Sequence, residues 1–371
     1  MWKTVCSKLV FIGISGTTFA FNNYMENPKS FKGQGAQRNV INRFDRYTYE
    51  PEDEDFETTK TEFTEVFPKT IVNPVKSPDL PFEYSLNPYQ GCEHGCSYCF
   101  ARPTHEYWGY SAGVDFERKI MVKKNAPELL EKFFQKRGYI PKTIMLSGNT
   151  DCYQPIERQL KITRNVLKVC LDYRHPVSII TKNALILRDL DILKPMAEQN
   201  LASVSFSIPT LNEELRRKME PRTSSSKNKL KAIEILSQNN IPVNVMIAPI
   251  IPGLTSDETL GILKSVSEAG ANSCGYGLVR LNDTVEPVFV HWLNANFPDK
   301  AQKVLNLIRS MRGGNLGEKR YFERYKGEGN IAEMIHQTFA LGKRKYFHGK
   351  ERRKLSSENF TWTKSQQLKL F

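Results

Sequence analysis

Short apolar runs rich in β-branched residues recur through the middle of the chain, and a stretch with helical periodicity separates each from the next. The runs lie at residues 82–86, 143–146, 177–181, 202–208, 243–249 and 273–279. The helical stretches lie at 126–136, 157–173, 185–199, 227–238 and 256–269. In the second of these, Leu160, Leu167, Cys170 and Leu171 fall on one face, as an amphipathic helix requires. Asn125 before Pro127, and Ser256-Asp257-Glu258, supply helix starts. Strand–helix repeats at this spacing specify an α/β fold with a parallel sheet of βαβ units. Six such units fall short of the eight of a closed (β/α)8 barrel.

Outside this region the pattern changes. Lys3 and Lys8 flank an apolar run at 9–14, shorter than the apolar core of a secretory signal. Met25 then opens a polar segment, so residues 1–24 read as an extension or a misassigned start. Residues 25–80 are polar and irregular, with an acidic run at 51–56, and order is expected to begin near Phe82. The core is placed at 81–285. A helical C-terminal extension is expected at 286–341, with helices at 288–312, broken at Pro298, and at 330–341. Residues 342–371 are rich in Lys and Arg and read as a basic, flexible tail.

Lys and Arg outnumber Asp and Glu by 53 to 40, a net charge of +13. That excess favours a polyanionic partner, nucleic acid before a membrane surface. No run of roughly 18 apolar residues exists to form a membrane-spanning helix.

Three of the seven cysteines crowd into Gly91-Cys92-Glu93-His94-Gly95-Cys96-Ser97-Tyr98-Cys99. An odd count with this crowding does not describe a disulfide framework. It describes a metal or cluster site in a reducing compartment, with the cytoplasm as the expected location. Three thiolates on a tight loop hold three corners of an iron–sulfur cubane, whereas a [4Fe–4S] cluster otherwise takes four cysteines. The vacant corner is then open to a ligand. Tyr98 sets an aromatic ring beside the cluster. The competing reading is structural zinc, with His94 or His105 as fourth ligand, but no second CxxC or HxxxH element accompanies the triple.

The spacing of Cys92, Cys96 and Cys99, with Tyr98 before the last, resembles the C-x3-C-x-Φ-C motif of the radical S-adenosylmethionine (radical SAM) superfamily. Several further segments are similar to its spore photoproduct lyase branch, the DNA repair photolyase-like proteins. They are Ser77-Pro78-Asp79, Asn87-Pro88-Tyr89-Gln90, Ala101-Arg102-Pro103-Thr104-His105 and Asp115-Phe116-Glu117. The resemblance covers about residues 31–312. It implies a partial (β/α)6 TIM-like barrel, a [4Fe–4S] cluster on Cys92, Cys96 and Cys99, S-adenosylmethionine on the open iron, and an electron donor of flavodoxin or ferredoxin type. It places Asn149 or Asp151, in Ser147-Gly148-Asn149-Thr150-Asp151, where the superfamily contacts the amino group of the cofactor; the usual Gly-Gly-Glu is absent here. By the same resemblance Lys182 meets the cofactor carboxylate, Ser205 and Ser207 meet its ribose or carboxylate, and Arg222 clamps a carboxylate or phosphate. The segment Ala248-Pro249-Ile250-Ile251-Pro252-Gly253 packs on the adenine, and Cys152 is the candidate hydrogen donor to a product radical.

The chain closes with Gln367, Leu368, Lys369, Leu370 and Phe371, which resembles the peptide by which bacterial replication and repair proteins bind the sliding clamp. The reading is a radical SAM enzyme acting on DNA, in the manner of lesion repair. The alternatives are a radical SAM enzyme that modifies RNA or protein, and a non-catalytic, zinc-stabilised nucleic-acid-binding module.

Overall fold

The computed structural model describes residues 33–44 and 60–363. The extension at 1–24, the acidic run at 51–56 and the last residues from 364 lie outside the described residues. The described residues form ten strands: β1 (Glu62–Val66), β2 (Val72–Pro74), β3 (Tyr84–Leu86), β4 (Tyr89–Gln90), β5 (Lys119–Lys123), β6 (Ile144–Leu146), β7 (Val177–Thr181), β8 (Ala202–Ser207), β9 (Val243–Ile250) and β10 (Ser273–Leu278). The main sheet runs β10-β9-β8-β7-β6-β3-β2. Its six strands from β3 to β10 are parallel and stand in chain order, while β2 pairs antiparallel with β3 at the edge. This is the open, incomplete α/β barrel expected from the strand–helix alternation.

Register explains how the sheet is covered. Leu86, Leu146, Ile179, Val204 and Val243 are paired in sequence across five strands, and each is at most 1% exposed. This row packs against the apolar faces of the intervening helices, among them Ile162–Asp172, Leu190–Glu198, Ser226–Gln238 and Thr259–Glu268. Side chains alternate along a strand, so the neighbouring row lies on the other face, and it is polar. Ser203 bonds Ser178 at 3.2 Å, Asn244 bonds Ser205 at 3.2 Å, and Ser273 bonds Asn244 at 2.8 Å. A parallel sheet buried on both faces is apolar on both. This one is not, so its inner face lines a polar hollow rather than a packed core.

Two parts of the architecture correct the sequence reading. Order does not begin near Phe82. Residues 33–44 are stitched to the 106–117 region by side chains: Gly35 and Ala36 donate to Glu117 at 3.1 and 2.7 Å, and Asn39 and Ser111 bond the chain further along. β1 pairs in parallel with β5, and β4 antiparallel with it, as a second small sheet. Polar stitching and a distant strand partner leave no hydropathy signal.

The second correction is at the C-terminus. The last helix runs Gly329–Tyr346, past the expected boundary at 341, and packs on Thr259–Glu268. Beyond it the chain does not come loose. Lys350 Nζ bonds the Ala271 carbonyl at 3.2 Å, Arg353 the Asn240 carbonyl at 3.3 Å, the Ser356 amide the Asn200 carbonyl at 3.0 Å, and the Thr361 amide the Tyr173 carbonyl at 3.0 Å. These acceptors sit in the helix-to-strand turns before β10, β9, β8 and β7. Arg174, Asn200, Asn240 and Gly270 adopt left-handed backbone in those turns, as helix C-termini commonly do. The expected tail is therefore, as far as residue 363, a strap across the N-terminal ends of four strands.

The strap ends in an aromatic cluster. Phe360 meets Phe134, Tyr139 and His175 edge-on, and His175 stacks on Phe134 at 4.2 Å. Burial lowers the His175 pKa from 6.5 to about 3. The unfolded chain takes up this proton below pH 6.5 and the folded chain does not. The contribution to stability is thus complete above pH 6.5 and is lost as pH falls toward 3. Urea-unfolding midpoints should drop on acidification through this window, by up to about 1.4 kcal/mol per pH unit from this group; His175→Phe should flatten the slope. An unchanged slope in that variant would contradict the assignment.

Candidate active site

The cysteine loop leaves β4 at the C-terminal end of the main strands. Gly91 and Gly95 turn it at φ of 79° and 67°, a region open to glycine at little cost. Buried polar groups brace it from beneath. Arg102 is fully buried and bonds the Cys96 carbonyl with two nitrogens, at 3.1 and 2.8 Å, the Ala112 and Gly113 carbonyls at 3.0 and 2.9 Å, and Glu117 at 2.5 Å. Gln154 accepts from the Glu93 amide at 2.9 Å, while Glu93 accepts from the Ile156 amide at 2.7 Å. A Cβ on Gly35 would collide with the Gly95 carbonyl, so residues 33–36 close over the loop at contact distance.

Cys92 and Cys96 are buried and Cys99 is half-buried, and all three are free thiols. Burial pushes the Cys99 thiol up to about 11 and raises Cys96 further still, with the Glu220 charge adding to the latter. Among the described residues no three His, Cys, Asp or Glu side chains group around a single ion position. Cubane ligands each take a different iron, whereas zinc gathers its ligands around one ion. Of the two histidines weighed as a fourth zinc ligand, His94 stands beside Cys92 itself. His94 faces Asp151 at 3.3 Å and Asn183 at 3.4 Å. His105 is sealed between Tyr110 and Phe116, and burial lowers its pKa to about 4.

One group beside the loop that the sequence reading did not select draws several elements together. Glu220 is completely buried. One carboxylate oxygen accepts from the Tyr98 hydroxyl and from Lys182 at 2.6 Å; the other accepts from Lys229 at 3.2 Å. Lys182 also bonds the Tyr98 hydroxyl at 3.1 Å. Burial alone would raise the Glu220 pKa, but Lys182 and then Lys229 overcome it and hold the carboxyl far below its usual range. Burial likewise opposes the Lys182 charge, and Glu220 outweighs it. Lys229 had a legible signal: with Ala232, Ile233 and Leu236 it shares the buried stripe of its helix, an unusual place for a lysine.

The remaining expected residues divide. Lys182, one residue beyond β7, and Tyr98 meet each other. Asn149 lies at the same rim; its amide nitrogen bonds Thr104 at 3.3 Å and its backbone is held by Asn87 at 2.9 Å. Ser147 before it takes φ of 74°, a left-handed backbone where glycine would be unstrained. Ser205 and Ser207 occupy the polar inner face, both nearly buried.

Three expected residues make their contacts within the protein. Asp151 is spent on the protein: it accepts from Thr181, the Lys182 amide and the Tyr153 amide at 2.8, 2.7 and 2.9 Å, besides facing His94. Arg222 reaches Thr61 at 3.5 Å, while its amide donates to the His94 carbonyl at 3.3 Å and its charge acts on Glu93 of the cysteine loop. Cys152 is wholly buried in the apolar core, near Ser147, Thr163 and Tyr89, and no contact joins it to Tyr98 or Lys182. Its thiol is not presented to the rim.

Removing one partner of a buried ion pair strands the other charge, at about 3–5 kcal/mol. Lys229→Met should destabilise the chain by that amount in urea unfolding. Glu220→Gln added to Lys229→Met should recover at least about 1 kcal/mol of the summed losses. Strict additivity would show that the pair is not coupled.

Comparison with known proteins follows the same lines. The family model of the Radical SAM superfamily matches residues 86–266. An uncharacterized protein of Mycobacterium tuberculosis is 33% identical over 250 residues, 67% of this chain and 74% of that one. An uncharacterized protein of Methanocaldococcus jannaschii is 31% identical over 248 residues, 67% of this chain and 88% of its own. Among solved structures, spore photoproduct lyase complexed with dinucleoside spore photoproduct superposes with a TM-score of 0.56 at 16% identity, covering 77% of this chain and 80% of that one. A double mutant of the same lyase, with bound AdoMet and dinucleoside spore photoproduct, gives 0.54 at 16% identity over 74% and 77%.

Proposed function

Because the chain belongs to the radical SAM superfamily, we propose that Cys92, Cys96 and Cys99 hold a [4Fe–4S] cluster whose open iron takes S-adenosylmethionine, and that the enzyme acts on DNA. When bound and reduced, this pair supplies a 5′-deoxyadenosyl radical, with methionine as the other product. Everything else is the work of the protein. The observation that carries the reading is the Lys182–Tyr98–Glu220 contact: a strand-end ammonium reaches the tyrosine that stands between two of the cysteines.

Lys182 meets the cofactor carboxylate. Lys229 stays with Glu220, so the carboxylate that aims Lys182 keeps a counter-charge when Lys182 engages its ligand. Asn149, held at its backbone and its amide nitrogen, offers its side-chain oxygen to the amino group. Ser205 and Ser207 face the ribose side of the hollow. Gly35, packed on Gly95, helps to keep water from the loop. The DNA assignment is supported by the charge of +13 and by the dinucleoside ligand in the spore photoproduct lyase structures. A small acidic electron carrier of flavodoxin or ferredoxin type suits the same basic surface.

Anaerobic reconstitution tests the reading. The protein should become brown, bind four irons and release 5′-deoxyadenosine under a strong reductant. Cys96→Ala should abolish colour and release together. Lys182→Met should keep the colour and weaken S-adenosylmethionine binding about 10- to 100-fold, the weight of a charge-assisted hydrogen bond. A colourless chain, or release that survives Cys96→Ala, would exclude the proposal.

The proposed clamp contact through Gln367, Leu368, Leu370 and Phe371 rests on the sequence alone. Deleting Phe371 should abolish capture of the chain by immobilised sliding clamp; retention would exclude it.

A further inference from the structure

We propose that an arginine–aromatic rim beside Cys99 is a stacking surface for an unpaired DNA strand, an inference that rests on the DNA reading above. Phe100 follows Cys99 directly and is 54% exposed. Arg280, just past β10, lies over the Phe100 ring at 5.4 Å and over the Tyr325 ring at 4.9 Å. Arg324 lies over Tyr325 at 5.0 Å and over Tyr321 at 5.2 Å. Rings and guanidinium groups thus alternate outward from the cysteine loop.

A second patch continues the rim. Arg43 lies over Phe44 at 5.0 Å and Tyr107 at 5.9 Å, and these two rings are 5.1 Å apart. Arg43 pairs with Glu106 at 3.0 Å and with Asp283 at 3.6 Å, and Asp283 also pairs with Lys319, two residues before Tyr321, at 2.7 Å.

Folding does not account for these rings. Phe44, Tyr107, Phe100, Tyr321 and Phe322 are each more than half exposed. Phe322 also adopts φ of 68°, a costly backbone for any residue but glycine. Asp79 holds it there, accepting from the Phe322 amide at 3.1 Å and from Arg324 at 2.6 and 2.5 Å. Among the described residues Arg280 forms no ion pair; it is half-buried, bonds Tyr325 and feels the Asp79 charge, which leaves it able to meet a phosphate from the open side.

Aromatic faces alternating with cations match a nucleic acid whose bases are free to stack and whose phosphates follow alongside. Duplex bases already use both faces on their neighbours, so the surface selects unpaired nucleotides and delivers them next to the cysteine loop.

The test measures binding of the full chain to a fluorescent oligothymidylate and to a duplex of equal length, at several salt concentrations. The variants are Phe322→Gly, Tyr107→Ala and Arg280→Gln. Phe322→Gly relieves the left-handed strain, so its melting temperature should hold or rise, and loss of binding cannot be ascribed to misfolding. The single strand should bind more tightly than the duplex. Each ring variant should weaken single-strand binding about 5- to 100-fold, and Arg280→Gln should lower the salt slope by about one. Equal binding of strand and duplex, untouched by the variants, overturns the rim and leaves the DNA reading standing. Failure of the wild-type chain to bind either oligonucleotide, including the case where the rim takes up a protein instead, overturns both. Variant-sensitive single-strand binding by a chain that releases no 5′-deoxyadenosine supports the rim and overturns the enzymatic reading.

Discussion

A carboxylate without solvent, set between two lysines and a tyrosine hydroxyl, ties the site together. Glu220 connects the residue after β7, the helix Ser226–Gln238 and the cysteine loop. Each comes from a different part of the chain, and none packs on the others through apolar contact alone at this point. Ionising Glu220 in the interior would be prohibitive without Lys182 and Lys229. One negative and two positive charges leave a unit of positive charge over, in a region whose dielectric screens it poorly. Such an excess favours anionic ligands at the rim.

The same logic recurs under the loop. Arg102 and Glu117 form a second buried pair, and their remaining valences go to backbone groups of the cysteine loop, of residues 112–113 and of residues 35–36. A loop that must curl tightly around its ligand cannot fill itself with apolar side chains. Its rigidity comes from directional bonds to main-chain carbonyls and amides, which fix position more closely than a hydrophobic contact of equal area.

Much of this was legible in the sequence, and the division follows a physical line. The six parallel strands and their helices announce themselves through periodicity, because burial of one face imposes a repeat on the residues. The cysteine triple announces itself through spacing, and Lys182 through its place just past a strand. What stayed hidden depends on partners far away in the chain. Asp151 and Arg222 have the right chemistry at plausible positions, yet Asp151 is also bonded by Thr181, His94 and two amides, and Arg222 is shared between Thr61 and Glu93. Glu220 looks like any surface glutamate until Lys182 and Lys229 converge on it. The small sheet of β1, β4 and β5 and the C-terminal strap are likewise settled by long-range pairing and single hydrogen bonds, which leave no local pattern.

The strap has a consequence for how the molecule is oriented among its neighbours. It crosses the turns that precede β10, β9, β8 and β7, whereas the sulfur-bearing loop stands at the far ends of the strands. The two poles are separated by the full height of the barrel wall. A partner held against the strap would sit behind the molecule, as one holds a lamp by its base, and the illuminated side would stay unobstructed.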